Sequence, residues 1–413
     1  MIRILATGDW HLGNNFHGFD RQEEHEHFLR WLLDTIAEKH PDALLVSGDV
    51  FDSANPSAAS QELYYTFLDD LSRRFSELQT VIIAGNHDSA ARLEAPRQIL
   101  ERHKVYVRGL CPKTENGEIS VDDLLVPLHA CDGSGERAWV LAVPYLRIGD
   151  FRRGAGYGEG MSECLEELVS RAGSRRESGK EAMILLAHLY ATGSMIADNS
   201  SERIVVGGSE MVDLHGLESQ VTLGVLGHLH KNQYLGDRRV FVYSGSALPM
   251  SFTERSYRHG VVYYEIEDGE LNGVSEFISY PLQHSLLSLP DKPAPLENVL
   301  DILSGLPDDQ NDASAPYLEV NVLLDTPVAG INKQIEDVLL HKHVRLCRTV
   351  ISYRVPVTGS DDVELESVED LLNLNPVEVI RKSYLNKYKC EMRPELEALA
   401  MQAVEAARKE GEE

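Results

Sequence analysis

Five short signatures in this chain hold residue types that bind divalent metals or move protons: Asp9-Trp10-His11, Gly48-Asp49, Gly85-Asn86-His87-Asp88, Ala187-His188 and Gly227-His228-Leu229-His230. Together they offer carboxylates, an amide oxygen and several imidazoles. A mixed oxygen and nitrogen set of this kind suits Mn²⁺, Fe²⁺ or Zn²⁺ better than Ca²⁺ or Mg²⁺, whose shells are built from oxygen. Each signature is weak by itself. Asp-x-His arises by chance, Gly-Asp is usually a turn, and Gly-Asn-His can be a loop whose Asn takes a left-handed backbone. A lone His188 is more often a hydrogen-bonded core histidine than a ligand. The conjunction carries the argument, because nearly all five follow an apolar run directly. Ligands in α/β folds gather at the carboxyl ends of strands, so the signatures are expected to converge on one metal-dependent site.

The elements that must position them are legible as apolar runs at 2–6, 43–46, 81–84, 139–143, 183–187, 221–226, 240–243 and 261–266, of a length and composition that predict strands. Helix-length amphipathic stretches lie between several of them. Residues 23–38 place Phe28, Leu29, Leu32, Leu33 and Ile36 on one stripe, and 57–75 place Leu63, Tyr64, Phe67, Leu68 and Leu71 likewise. The pattern is α/β with two sheets. Residues 285–316, rich in Pro, Asp and Ser, read as a domain junction with one short helix near Val299. A strand-helix-strand pattern follows at 317–324, 331–340 and 344–355, and beyond 359–362 the chain is expected to be helical to its end. The expected domains are therefore 1–282, a linker and small domain over 283–358, and a helical tail over 359–413.

Composition sets limits on function. No opening segment looks like a signal peptide and no run is long enough to span a membrane, so a cytoplasmic setting is expected. Five scattered cysteines without a C-x-x-C pair indicate neither a disulfide framework nor a thiolate zinc site. A net charge of -27 argues against the basic footprint of a stand-alone nucleic-acid binder. Residues 356–413 hold 14 acidic and 7 basic side chains, so the acidity is not merely that of a tail. Gly154, Gly156, Gly158 and Gly160 alternate without a preceding strand and are expected to form a surface loop. The run 173–180 misses phosphate-loop spacing by one residue, and Glu181 replaces the required Ser or Thr, so no ATPase site is visible.

The five signatures, in this order, resemble those of the calcineurin-like metallophosphoesterases. The longer strings Asp9-Trp10-His11-Leu12-Gly13, Gly48-Asp49-Val50-Phe51-Asp52, Gly85-Asn86-His87-Asp88-Ser89 and Tyr243-Ser244-Gly245-Ser246 are similar to those of the SbcD nuclease subunits within that superfamily. The resemblance runs over the whole chain and is strongest up to about Ser251. It implies a two-sheet metallophosphoesterase sandwich flanked by helices, a small α/β capping domain and a helical C-terminal tail. It further implies two divalent ions, with Mn²⁺ the expected metal. The first would sit on Asp9, His11, Asp49 and His230, and the second on Asp49, Asn86, His188 and His228. Two such ions make a locally cationic site inside an acidic protein.

By the same resemblance His87 would act on the leaving oxygen of a phosphodiester, with Asp88 as its orienter, while some relatives carry a histidine where this chain has Asp52. The implied activity is that of a DNA nuclease, exonuclease on ends and endonuclease on hairpins or single strands, acting with an SbcC-like ATPase. Leu63, Tyr64, Phe67, Leu68 and Leu71 would form a homodimer interface, against the plainer reading of a core-facing helix. Leu371, Leu372, Val379, Ile380, Tyr384 and Leu385 would dock the ATPase. Two other functions stay open: a phosphatase or cyclic-nucleotide phosphodiesterase on the same metal core, and a non-catalytic scaffold. The unit after residue 285 speaks against the first, and retention of every donor type speaks against the second.

Overall fold

The computed structural model describes residues 1–150, 156–195, 211–273, 275–308 and 314–354, with Arg381, Tyr384, Leu385 and Leu396 as isolated positions beyond. Four parallel strands, β1 (Ile2–Thr7), β2 (Ala43–Val46), β3 (Gln79–Ile83) and β4 (Val105–Arg108), stand in that order in a first sheet. In the second sheet β5 (Leu125–His129), β6 (Arg137–Val143), β7 (Ala182–His188) and β8 (Leu223–Gly227) are followed by β10 (Phe241–Tyr243) and, at the edge, β9 (Gln233–Leu235). The chain then returns to the first sheet, where β11 (Gly260–Glu267) pairs antiparallel with β1 and β12 (Glu276–Ser279) pairs with β11.

Strand alternation explains the layering. In β1 the side chains of Ile4 and Ala6 join the core between the sheets, while Leu5 faces α1 (Gln22–Lys39) and α2 (Ala58–Arg74). In β2 Ala43 and Leu45 point inward and Leu44 and Val46 point to the same helices. In β7 Ala182, Ile184 and Leu186 meet the first sheet, while Met183, Leu185 and Ala187 cover α3 (Tyr157–Gly173). Both faces of these strands are buried, so each reads as a continuous apolar run rather than an alternating one. At about 1.5–3 kcal/mol for each fully buried large aliphatic side chain, this central layer is a major part of what holds the sheets together.

A third sheet follows, of parallel strands β13 (Leu286–Pro295), β14 (Tyr317–Leu324) and β15 (Arg345–Tyr353), with α4 (Leu296–Ser304) and α5 (Ile331–Leu339) packed on it. Much of the expected junction is therefore structure: Leu286 to Leu289 pair with Tyr317 to Val320, and pairing resumes at Ala294 after an irregularity. Pro290, Pro293 and Pro295 are accommodated because β13 is an edge strand, where a missing N–H is tolerated. The third sheet is tied to the sandwich by an aromatic cluster of Phe16, Phe252 and Tyr317. Beneath that cluster lies a buried ion pair. Arg21 donates to Glu24 through Nε at 2.8 Å and Nη2 at 3.1 Å and to the Pro249 carbonyl, while Tyr317 Oη donates to Glu24 at 2.8 Å.

The structure corrects two further expectations. The alternating glycines do not all belong to a loop: Gly156 caps α3, whose first turns contain buried Gly158 and Gly160. The stripe expected at a dimer interface faces the chain's own core. Tyr64, Phe67, Leu68 and Leu71 are buried against α1 and the first sheet, and Leu63 packs partly exposed beside them. A stripe of that kind shows that a face is buried, not against what. Of the tail residues, Tyr384 is half-buried and Leu385 is exposed, whereas Leu371, Leu372, Val379 and Ile380 lie outside the described residues. No helix among the described residues is long and apolar enough to cross a membrane.

Candidate metal centre

The signatures stand at the ends of strands from both sheets. Asp9 and His11 follow β1, Asp49 follows β2, Asn86 and His87 follow β3, His188 ends β7, and His228 and His230 follow β8. The structure brings all of them into one cluster. His188 Nε2 lies 2.9 Å from Asn86 Oδ1 and 3.4 Å from Asp49 Oδ2, and His228 Nδ1 lies 2.9 Å from the same Asn86 oxygen. The rings of His11 and His230 are 5.2 Å apart, and His11 Nε2 is 3.8 Å from Asp49 Oδ2. Asp49 thus stands between two groups of donors. Asp9, His11, Asp49, His188 and His230 are buried.

Glycines let the sheet ends approach this closely. A Cβ on Gly48 would fall 2.5 Å from His188 Nδ1, and one on Gly227 would collide with the Ser47 carbonyl. The backbone bends sharply where donors emerge: φ is 48° at Asp9, 48° at His11, 47° at Asp49 and 99° at His228. Non-glycine residues seldom adopt such angles, and their clustering at one place is the pattern of a functional site rather than of loop irregularity.

These donors fit divalent metal ions. His188 Nδ1 lies 2.8 Å from the Ser47 carbonyl, which can only accept, so Nδ1 carries a proton and Nε2 turns its lone pair toward Asn86 Oδ1 and Asp49 Oδ2. Three electron-rich atoms thus converge, His188 Nε2 with Asn86 Oδ1 and Asp49 Oδ2, an arrangement that a positive centre stabilises. Without metal a proton serves. Burial opposes charge on His188, yet the carboxylates of Asp49 and Asp9 outweigh it and hold the imidazole up at about 9. Burial together with that neighbouring charge drives His228 down to about 3. Burial raises Asp9, whereas Asp49 is held far below the usual carboxylate range despite its burial, by His188 first and His11 next. His11 fits a cation as well: Nε2 of this buried ring makes no hydrogen bond among the described residues, and Nδ1 lies at ion-pair distance from Asp52 Oδ1, 3.4 Å.

His87 sits at the exposed rim, its ring 4.9 Å from that of His11. The expectation that Asp88 orients it is corrected. Asp88 is buried and accepts from the backbone N–H groups of Gly85, Val50 and Phe51 at 2.8, 3.1 and 2.9 Å, clamping the loop after β3 to the loop after β2. Burial first, and then the nearby Asp49, raise its carboxyl to about 6. The Asp52 carbonyl holds His87 instead, 2.9 Å from Nδ1. Sequence adjacency misled because consecutive side chains leave this turn in different directions.

Two carboxylates behind the histidines carry no strand-end signature. Glu254, fully buried, lies 3.1 Å from His230 Nδ1, and Asp52 Oδ1 lies 3.4 Å from His11 Nδ1. Asp52 stands out in the string after Gly48, but nothing in the sequence places it behind His11. Glu254 follows His230 by 24 positions and has no local signal.

Comparison with known proteins bears on this geometry. The calcineurin-like phosphoesterase family matches residues 2–232, and the type 5 capsule protein repressor C-terminal domain family matches 283–388. The SbcD chain of the SbcCD nuclease from Rhodobacter capsulatus is 36% identical over 363 residues, spanning 85% of this chain and 87% of its own. Its counterpart from Escherichia coli K12 is 28% identical over 391 residues, spanning 90% of this chain and 92% of its own. A solved dimetal phosphatase from Danio rerio aligns with a TM-score of 0.40 at 12% identity, over 68% of this chain and 99% of that one.

Proposed function

Because this chain belongs to the calcineurin-like phosphoesterases and, within them, to the SbcD nucleases, we propose that it is a metal-dependent DNA nuclease subunit acting with an SbcC-like ATPase. In this reading it trims double-stranded ends and cuts single strands and hairpins. One observation supports it above the rest: donors from five strand ends in two sheets meet around Asp49. Asp9, His11, Asp49 and His230 would hold one divalent ion and Asp49, Asn86, His188 and His228 a second, with Mn²⁺ as the metal. Such ions activate water and offset charge gathering on the phosphate.

The chain's own residues supply the rest. Asp49 faces both groups of donors, and its carboxylate lowers the repulsion between two cations. His87 has a fixed tautomer, because the Asp52 carbonyl can only accept and therefore keeps the proton on Nδ1. A further proton on this ring must reside on Nε2, which can hand it to the departing oxygen when the phosphodiester opens. The rim position of His87 leaves it free to meet a phosphate, whereas Asp9, His11, Asp49, His188 and His230 behind it are buried. The acidic net charge fits a division of labour in which the ATPase supplies much of the DNA grip, with the tail over 359–413 as the dock.

The test is a DNA hairpin offered to the purified chain with Mn²⁺ and a coexpressed SbcC-like ATPase. Opening of the hairpin is expected. Hydrolysis of an aryl phosphodiester with no cleavage of any DNA would return the chain to the phosphatase reading.

A further inference from the structure

The histidines of the two donor groups are supported differently. His230 presents Nδ1 to Glu254 at 3.1 Å and His11 presents Nδ1 to Asp52 at 3.4 Å, so each histidine of the first group is backed by a carboxylate. His188 is backed by a neutral partner, the Ser47 carbonyl at 2.8 Å, with Asp9 beyond hydrogen-bond range at 3.9 Å. His228 turns Nδ1 to the Asn86 amide oxygen. Among the described residues no carboxylate outside the donors themselves lies within ion-pair range of His188 or His228.

Glu254 is hard to explain as a stabilising feature. A fully buried carboxylate loses its hydration, and the desolvation cost of burying charge often cancels what its partners return. The chain nonetheless builds a nest for it, in which the Met250 N–H donates at 2.8 Å and Ser251 Oγ lies at 3.3 Å. Placed there, the carboxylate does two things to His230. It keeps the proton on Nδ1, which leaves Nε2 as the lone pair, and it makes that lone pair a stronger donor. Asp52 faces His11 Nδ1 at ion-pair distance, without the aligned hydrogen bond that Glu254 makes, and from a position one-third exposed.

We propose that Glu254 and Asp52 are positioning residues that make the first ion, on Asp9, His11, Asp49 and His230, the tightly held one, and leave the second, on Asp49, Asn86, His188 and His228, the exchangeable one. The inference rests on the donor assignment proposed above. It divides that assignment into a resident ion and an ion that comes and goes.

The experiment is titration of Mn²⁺ into the metal-free full chain, with free Mn²⁺ followed by electron paramagnetic resonance, for the parent, Glu254→Gln and Asp52→Asn. The parent is expected to bind two ions with separable affinities. Glu254→Gln keeps the shape of the side chain and removes its charge, and it should weaken the tighter ion by about 10- to 100-fold while leaving the weaker one in place. Asp52→Asn should act in the same direction with a smaller effect, because solvent already screens its charge. Melting of the metal-free proteins separates this from a folding defect, since a general loosening would move both ions and the melting temperature together. Equal affinities in the parent, or equal weakening of both ions in Glu254→Gln, would overturn the asymmetry while leaving the two-ion reading intact. Fewer than two ions in the parent would overturn that reading and this inference with it.

Discussion

The two sheets contribute unlike chemistry to the centre. The first brings the oxygen donors, Asp9, Asp49 and Asn86, together with His11 and the rim residue His87, whereas the second brings imidazoles alone, His188, His228 and His230. Neither half holds a full set for either proposed ion. The centre exists only where the sandwich closes, and the contacts that close it there are polar: Ser47 with His188, Asn86 with His188 and His228, and the His228 N–H with Asp9 at 3.0 Å. Closing the sandwich therefore brings together the polar groups buried at the strand ends.

The comparison breaks most completely at Asp49, the oxygen donor facing both groups. Asp49→Asn should reduce phosphodiesterase activity to background and lower the Mn²⁺ content below two ions per chain. Metal analysis beside rates on an aryl phosphodiester checks this, and a variant retaining two ions would remove Asp49 from its bridging place. His87 belongs to neither donor group, so His87→Ala should keep both ions and lose about 10²- to 10⁴-fold in rate. Activity near that of the parent would show that the proton comes from elsewhere. The smallest effect on chemistry is expected behind the first sheet. Phe67 packs edge-on against Trp10, the residue between Asp9 and His11, with ring centroids 5.5 Å apart. Phe67→Ala should cost about 3–5 kcal/mol of stability in denaturant unfolding, with the rate per folded molecule little changed. A stable protein with altered oligomeric state would instead restore Phe67 to an interface.

How much of this was legible in the sequence depends on what each residue's signal reports. Strands buried on both faces announce themselves as unbroken apolar runs, and β1, β2 and β7 lie where the runs at 2–6, 43–46 and 183–187 place them. β5 is interrupted by Pro127, and β4 offers only Val105, Tyr106 and Val107 before the charge of Arg108. β13 was hidden by its prolines, which mark loops in general but are admissible on an edge strand. Residue type and position after a strand were enough to gather Asp9, His11, Asp49, Asn86, His188, His228 and His230 as candidates. The residues behind them were a different matter. Glu254 acts through a tertiary contact with no periodicity, and Asp88 differs from Asp52 only in the direction its side chain leaves the turn. The stripe on α2 was correctly seen as a buried face, but a helix does not encode what lies opposite it.

The left-handed backbone at Asp9, His11 and Asp49 also restricts which alphabet can write this centre. Asp, Asn and His are the side chains that tolerate positive φ best after glycine, and they are also three of the hard and borderline donors that divalent metals accept. Two filters of unrelated origin therefore pass the same few letters. Glu or Cys, competent as donors elsewhere, would carry a backbone strain of about 1–3 kcal/mol at such a position before any metal arrived. Exchanges such as Asp for Asn would change the charge of the centre and leave the path of the chain alone. Anyone transplanting the centre to another scaffold would have to copy the turns first and the donors second.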